Sequence, residues 1–287
     1  MLPKLGFKDV AGMEELKQLV TESFINVLKN RELAKIYGIE PPSLMFYGPS
    51  GGGKTFFAEA VANEVGVSFM KVVPDDIAST WIHGTQEKIA ELFKKAEQQA
   101  PTLLFFDEFD AMVPARTDSD HHGQNNEVNE FLCMMNNASE KGIYIIAATN
   151  HPENIDRAVL RTGRIDELIY IGMPDKASRE SLFRLTLSKL PTADDINCGV
   201  LADMTAGYSC SDISYIVKSA SRKVFNESIA LMCRPYRLIT QMQIEDAIRH
   251  KSPSVSQSDL REYERVRSIF SPKDAGVNRT RIGFQQQ

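Results

Sequence analysis

Eight residues, Gly48-Pro49-Ser50-Gly51-Gly52-Gly53-Lys54-Thr55, constrain this chain more than any others. An apolar run, Leu44-Met45-Phe46-Tyr47, comes directly before them, and a helix-forming run, Phe56-Phe57-Ala58-Glu59-Ala60-Val61-Ala62, comes directly after. A glycine-rich turn that joins a strand to a helix and closes on Lys-Thr points backbone N–H groups at phosphate oxygens. Glycine permits the left-handed backbone this cradle needs, and the helix N-terminus adds partial positive charge. Lys54 is then placed to reach the β- and γ-phosphates, and the Thr55 hydroxyl to face Mg²⁺, so ATP with Mg²⁺ is the expected ligand.

Short apolar runs alternate with helical patterns up to about residue 171. The candidate strands are Leu44–Tyr47, Ser68–Val72, Thr102–Phe106, Ile143–Ala147 and Glu167–Ile171, with helices such as Thr55–Val65 and Glu87–Ala100 between them. That alternation, with a phosphate loop after an early strand, predicts an α/β fold with a doubly wound parallel sheet and ligands at the carboxyl ends of the strands. After Gly172-Met173-Pro174 the periodicity becomes helical, over Ser178–Leu190, Ser211–Ala230 and Thr240–Arg249. The expected organisation is a nucleotide-binding domain over 1–173 and a small helical lid over 174–252. The remainder, 253–287, holds a helix at Ser258–Phe270 and a polar, mobile tail.

A second half-site follows the apolar run Leu103-Leu104-Phe105-Phe106, which ends in Asp107 and Glu108. At a parallel strand end Asp107 suits Mg²⁺ held through its water shell. Glu108, one position on, suits a base that orients and polarises the attacking water. Beside a phosphate loop these carboxylates are more than two solvated acids, and a chain that keeps Glu108 as well as Asp107 is built to hydrolyse. Asn150 ends the next buried run, either as a turn residue before His151-Pro152 or as a contact to the γ-phosphate or the water. Arg161 and Arg164 have two readings: surface charge beside a Gly turn, or fingers that neutralise charge in a neighbouring subunit's site.

Taken together these segments resemble the AAA ATPase family, from about Phe7 to Phe270. The resemblance implies a P-loop NTPase large domain with a helical lid. It makes Gly48 to Thr55 the Walker A loop, with Phe56 opening its helix, Leu103 to Asp110 Walker B, Asn150 sensor 1, and Arg161 and Arg164 the arginine fingers. Phe7-Lys8-Asp9-Val10-Ala11-Gly12 resembles the opening segment whose backbone brackets adenine. Gly207-Tyr208-Ser209-Cys210-Ser211-Asp212-Ile213 resembles the sensor-2 segment, which places Gly207 and Cys210 near the adenine and ribose. The tail Pro253 to Leu260 is similar to the valosin-containing and vacuolar-sorting disassembly branches of the family. Between Asp76 and Phe93 the count matches the central-pore segment, which puts Trp81, Ile82 and His83 against a threaded polypeptide. His121-His122-Gly123 fall at a second pore loop, and with no further ligands nearby they read as a solvated loop rather than a metal site.

The chain departs from the family in several places. Ser50 and Gly52 replace the second Pro and first Thr of Walker A, which predicts a looser cradle and weaker nucleotide binding. His83 stands where the pore motif has Gly, and Thr186 where relatives place a ribose-contacting His. Asn126 and Glu127 replace an Arg pair that acts across the subunit boundary. No HExxH occurs, so a fused metalloprotease is excluded.

The functional expectation is a homo-hexameric ATPase ring that threads or remodels a protein substrate, with an adaptor as a further partner. An ATP-gated adaptor with little hydrolysis is the alternative. A nucleic-acid motor comes third, because a net charge of −5 supplies no basic field. No apolar run approaches the ~18 residues of a membrane span. The start, Met1-Leu2-Pro3-Lys4, lacks a secretory core, and Cys133, Cys198, Cys210 and Cys233 form no CxxC pair; both point to a reduced, cytoplasmic protein. Since the sequence opens almost at the ATPase module, recognition falls to a domain outside it, or to adaptors, the pore and residues 252–287.

Overall fold

The computed structural model describes residues 6–77, 84–115, 131–136, 138–156, 158–160, 163–230 and 237–270. Five strands form one sheet: β1 (Leu44–Tyr47), β2 (Ser68–Val72), β3 (Thr102–Phe106), β4 (Ile143–Thr149) and β5 (Glu167–Tyr170). Their order is β2-β3-β4-β1-β5 and every pairing is parallel. Near-continuous apolar strands are what a sheet covered on both faces requires. Leu103 and Phe105 point to one side and Leu104 and Phe106 to the other, and all four are fully buried. On the first side they meet Phe57 and Val61 of the Lys54–Val65 helix and Val20 and Phe24 of the N-terminal helical segment. On the second, Phe93 of the Gly84–Gln98 helix joins Phe106, Phe109 and Phe131 in an aromatic cluster with ring centroids 4.9 to 6.4 Å apart.

From Lys176 onward helices pack around their own core of Phe183, Leu201, Ile213, Ile216 and Ile244. They run Lys176–Leu187, Cys198–Met204, Cys210–Ala230 and Gln241–Arg249. Asp175 caps the first, its carboxylate accepting the Ser178 amide at 2.7 Å. Arg179 is buried; its guanidinium donates to the Pro174 carbonyl at 2.9 Å and to the Ala202 carbonyl at 3.0 and 3.2 Å. It therefore ties the chain crossing at Pro174 to the helical core.

Asp212 is a second buried anchor, 3% exposed. One oxygen accepts the amides and hydroxyls of Ser209 and Ser254 at 2.8 to 3.1 Å, and the other pairs with Lys251 at 2.7 Å. Burial alone would raise its pKa, but Lys251 and the Ser254 and Ser209 bonds outweigh it and hold the carboxyl far below the usual range. This knot fixes the segment leading into the last helix, Gln257–Phe270, which returns to the sheet. There Val266 is buried and the Arg267 guanidinium lies 4.9 Å from the centroid of the Tyr170 ring on β5.

Candidate functional site

The strand order sets the ends of β3, β4 and β1 side by side, so the loops that follow them converge. Lys54 begins its helix at the bottom of the cleft and is only 8% exposed. Its ammonium donates to the Gly48 carbonyl at 2.8 Å, the Pro49 carbonyl at 2.9 Å and Asn150 Oδ1 at 2.7 Å. Burial pulls its pKa down to about 8, against the pull of Asp107 and Asp110. Phosphate oxygens arriving there would raise it again and hold the ammonium more firmly. Asn150 is aimed by its neighbour: the Thr149 hydroxyl donates to Asp110 at 2.6 Å and accepts the His151 amide at 2.8 Å, which fixes the turn.

Thr55 Oγ1 donates to Asp107 Oδ2 at 3.1 Å. The same oxygen takes an ion pair from Lys71 at 2.7 Å, while Oδ1 accepts the Glu108 amide at 3.2 Å. Glu108 is exposed and sits in the left-handed region, φ 54°. That conformation is uncommon for glutamate and turns the chain sharply at the end of the strand. A hydroxyl and a carboxylate at this separation are hard oxygen donors that suit Mg²⁺. No group of three or more His, Cys, Asp or Glu that could hold a metal exists among the described residues, so water and phosphate would complete the shell.

A cavity of about 460 Å³ opens beside the loop. Asp9, Val10 and Ala11 line one wall, Gly51, Gly52, Gly53 and Phe56 the floor, and Thr186 and Cys210 the helical side. It takes in most of the residues expected around the base and ribose. Thr186 donates its hydroxyl proton to the Leu182 carbonyl at 2.7 Å, which leaves the oxygen as an acceptor. The Cys210 thiol, pushed up to about 11 by burial, contacts the Gly52 carbonyl at 3.7 Å. Lys189 pairs with Asp9 across the mouth at 3.9 Å.

Three expected residues lie elsewhere. Gly207 does not line the cavity; it turns the chain before the helix that starts at Cys210, and only the latter faces inward. Gly12 packs against Ser178 of the first lid helix rather than against the cavity. Ser50 lines a separate space of about 290 Å³ with His151, Ser254 and Tyr263, under the last helix. Arg164 donates to the Ala158 carbonyl at 2.8 Å. Trp81, Ile82, His83, Arg161, His121 to Gly123, Asn126, Glu127, Cys233 and residues 271–287 fall outside the described residues. Lys71 is the residue that sequence reading missed; a lysine on an edge strand carries no motif, and only the β2–β3 pairing brings it to Asp107.

Gly51 shows how tightly loop and lid meet. Its φ is +75°, its carbonyl accepts the Ser211 amide at 3.2 Å, and a Cβ there would stand 2.8 Å from Ser209 Oγ. Gly51→Ala is expected to cost ~1–2 kcal/mol from backbone handedness alone, with the collision added. Thermal unfolding should show the loss, and an ATP titration should show weakened binding. An unchanged melting temperature would mean the loop is not held by the lid.

Residues 44–173 match the family model described as "ATPase family associated with various cellular activities (AAA)". The chain is also similar to the cell division cycle protein 48 homolog of Archaeoglobus fulgidus, 35% identical over 280 residues. That match covers 94% of this chain and 38% of the relative, so the chain spans well under half of that protein's length. No helix among the described residues is long and apolar enough to cross a membrane.

Proposed function

The chain belongs to the AAA ATPase family through its domain at residues 44–173, and from that premise we propose that it hydrolyses ATP and uses the cycle to remodel a protein substrate. The convergence of Lys54, Thr55, Asp107, Glu108 and Asn150 on one cleft carries this reading. Backbone amides of residues 48–54 and the Lys54 ammonium bind and orient the phosphates, while the 460 Å³ cavity takes the base and ribose. Mg²⁺ bound with ATP, facing Thr55 and Asp107, would draw charge off the phosphates. Glu108 orients a water and takes its proton as the oxygen bonds to the γ-phosphorus, while the bond from that phosphorus to the β–γ bridging oxygen breaks and ADP leaves with the bridging oxygen. Asn150 Oδ1 accepts from Lys54, and from there its side chain would turn to the γ-phosphate or that water.

The domains proposed are the large α/β unit over 1–173, the helical lid over 174–252, and the last helix and tail over 253–287. A homo-hexameric ring would let Arg161 and Arg164 complete a neighbour's site and Trp81, Ile82 and His83 grip a polypeptide in the pore. An adaptor protein would supply recognition, and the cytoplasm is the proposed setting.

Turnover measured against protein concentration, with mass determined in ATP, tests the ring. Rates per chain should rise cooperatively as a hexamer appears, and Trp81→Ala should leave ATP turnover largely intact while abolishing unfolding of a tagged test protein. A constant rate per monomer would remove the ring. ATP binding and assembly without turnover would move the chain to the adaptor reading, and salt-sensitive DNA binding to a nucleic-acid motor.

A further inference from the structure

Lys71 stands on the edge strand β2, paired in register with Phe105 of β3, one position short of that strand's end. Its ammonium lies 2.7 Å from Asp107 Oδ2. That oxygen also accepts the Thr55 hydroxyl, and Asp107 Oδ1 is taken by the Glu108 amide. Both carboxylate oxygens are thus engaged within the chain, and the positive charge facing them is supplied by a side chain. Thr55 and Asp107 are also the two residues whose oxygens suit Mg²⁺. A lysine ammonium and a divalent cation at one carboxylate repel each other, so both do not hold Oδ2 at full strength.

We propose that Lys71 is a tethered cation that competes with Mg²⁺ for Asp107 and so sets the Mg²⁺ concentration at which the site takes up metal-bound ATP. It is a positioning residue, since it acts through Asp107. It neutralises a carboxylate that is only 22% exposed and keeps it turned toward Thr55. Its own side chain is 43% exposed on a flexible four-carbon stem, so water receives the ammonium when it lets go. The alternative is an ordinary surface ion pair of little consequence. The two differ in what happens at the metal, because a decorative pair leaves the Mg²⁺ requirement untouched. The inference rests on the nucleotide-site reading above.

The test is a Mg²⁺ titration of the full chain, stripped with EDTA, reading fluorescence of a bound N-methylanthraniloyl ATP analogue. Lys71→Met is expected to lower the Mg²⁺ concentration at half-maximal signal by about tenfold, because the competing charge is gone. Lys71→Arg keeps the charge and should stay near the wild-type midpoint. Without nucleotide or metal, Lys71→Met should also melt below wild type, since Asp107 has lost its cation, and the gap should close as Mg²⁺ and ATP are added. If Lys71→Met does not fold, Lys71→Gln carries the same comparison. An unchanged or higher midpoint in a folded, uncharged variant overturns the role of Lys71 alone. A wild-type signal indifferent to Mg²⁺ overturns the nucleotide-site reading beneath it.

Discussion

Glu108→Gln is expected to cut ATP turnover by about 10²–10⁴-fold, the usual worth of a positioned general base. The amide has nearly the same shape, and the backbone amide of residue 108 still bonds Asp107 Oδ1, so the left-handed turn and the metal-facing carboxylate stay in place. ATP affinity should therefore change little, because Glu108 is exposed and holds none of the phosphate cradle. Steady-state turnover beside a binding titration separates the two quantities. Equal turnover in the mutant would show that Glu108 is not the group that takes the proton. A parallel fall in binding would mean that the substitution had disturbed the loop instead.

Asp212→Asn should be the most damaging single change to stability, at about 3–5 kcal/mol, the cost of removing one partner from a buried charged pair. The amide nitrogen would face either Lys251 or the four donors from Ser209 and Ser254, and each arrangement sets donor against donor. The sign of the pH dependence follows from the direction of the shift. Because the folded carboxyl titrates below its unfolded value, its contribution is complete above an unfolded pKa of ~3.9 and is lost as pH falls toward the folded one. Urea unfolding near neutrality should show the full gap between wild type and mutant, and the gap should narrow below about pH 4. A gap that stays constant on acidification would mean the loss comes from packing, not charge.

Strands β1, β3 and β4 were legible because each is an apolar run buried on both faces, while the outer strands β2 and β5 are only partly buried and were legible through their place in the strand–helix alternation. Their ends moved only slightly: β4 runs on to Thr149 and β5 stops at Tyr170. The helix Cys198–Met204 was not legible, because seven residues give two turns and its apolar side, Leu201 and Ala202, is too brief to show a period. The N-terminal helical segment was missed as well, where a π-type turn over Thr21–Ile25 shifts the apolar phase midway. The phosphate half of the site was plain, since its geometry is local to a strand, a loop and a helix. What sequence could not show was contact between distant residues: Lys71 on Asp107, Lys251 on Asp212, Arg267 on Tyr170. Gly207 lies outside the cavity lining for a related reason, since order along a motif does not say which residues a turn sends inward.

The last helix gives the molecule a mechanical property that the nucleotide cleft does not reveal by itself. The lid leaves the sheet at Pro174, clipped by Arg179, and comes back to it at Val266 and Arg267 beside Tyr170. Between those two crossings the loop and the helices also meet at Gly51 and Ser211 and at Asp9 and Lys189, so the helical part is fastened to the sheet at several spaced points rather than by one tether. A displacement of the last helix would therefore be felt at two distant places at once, the Tyr170 ring on β5 and the Gly51 turn of the phosphate loop.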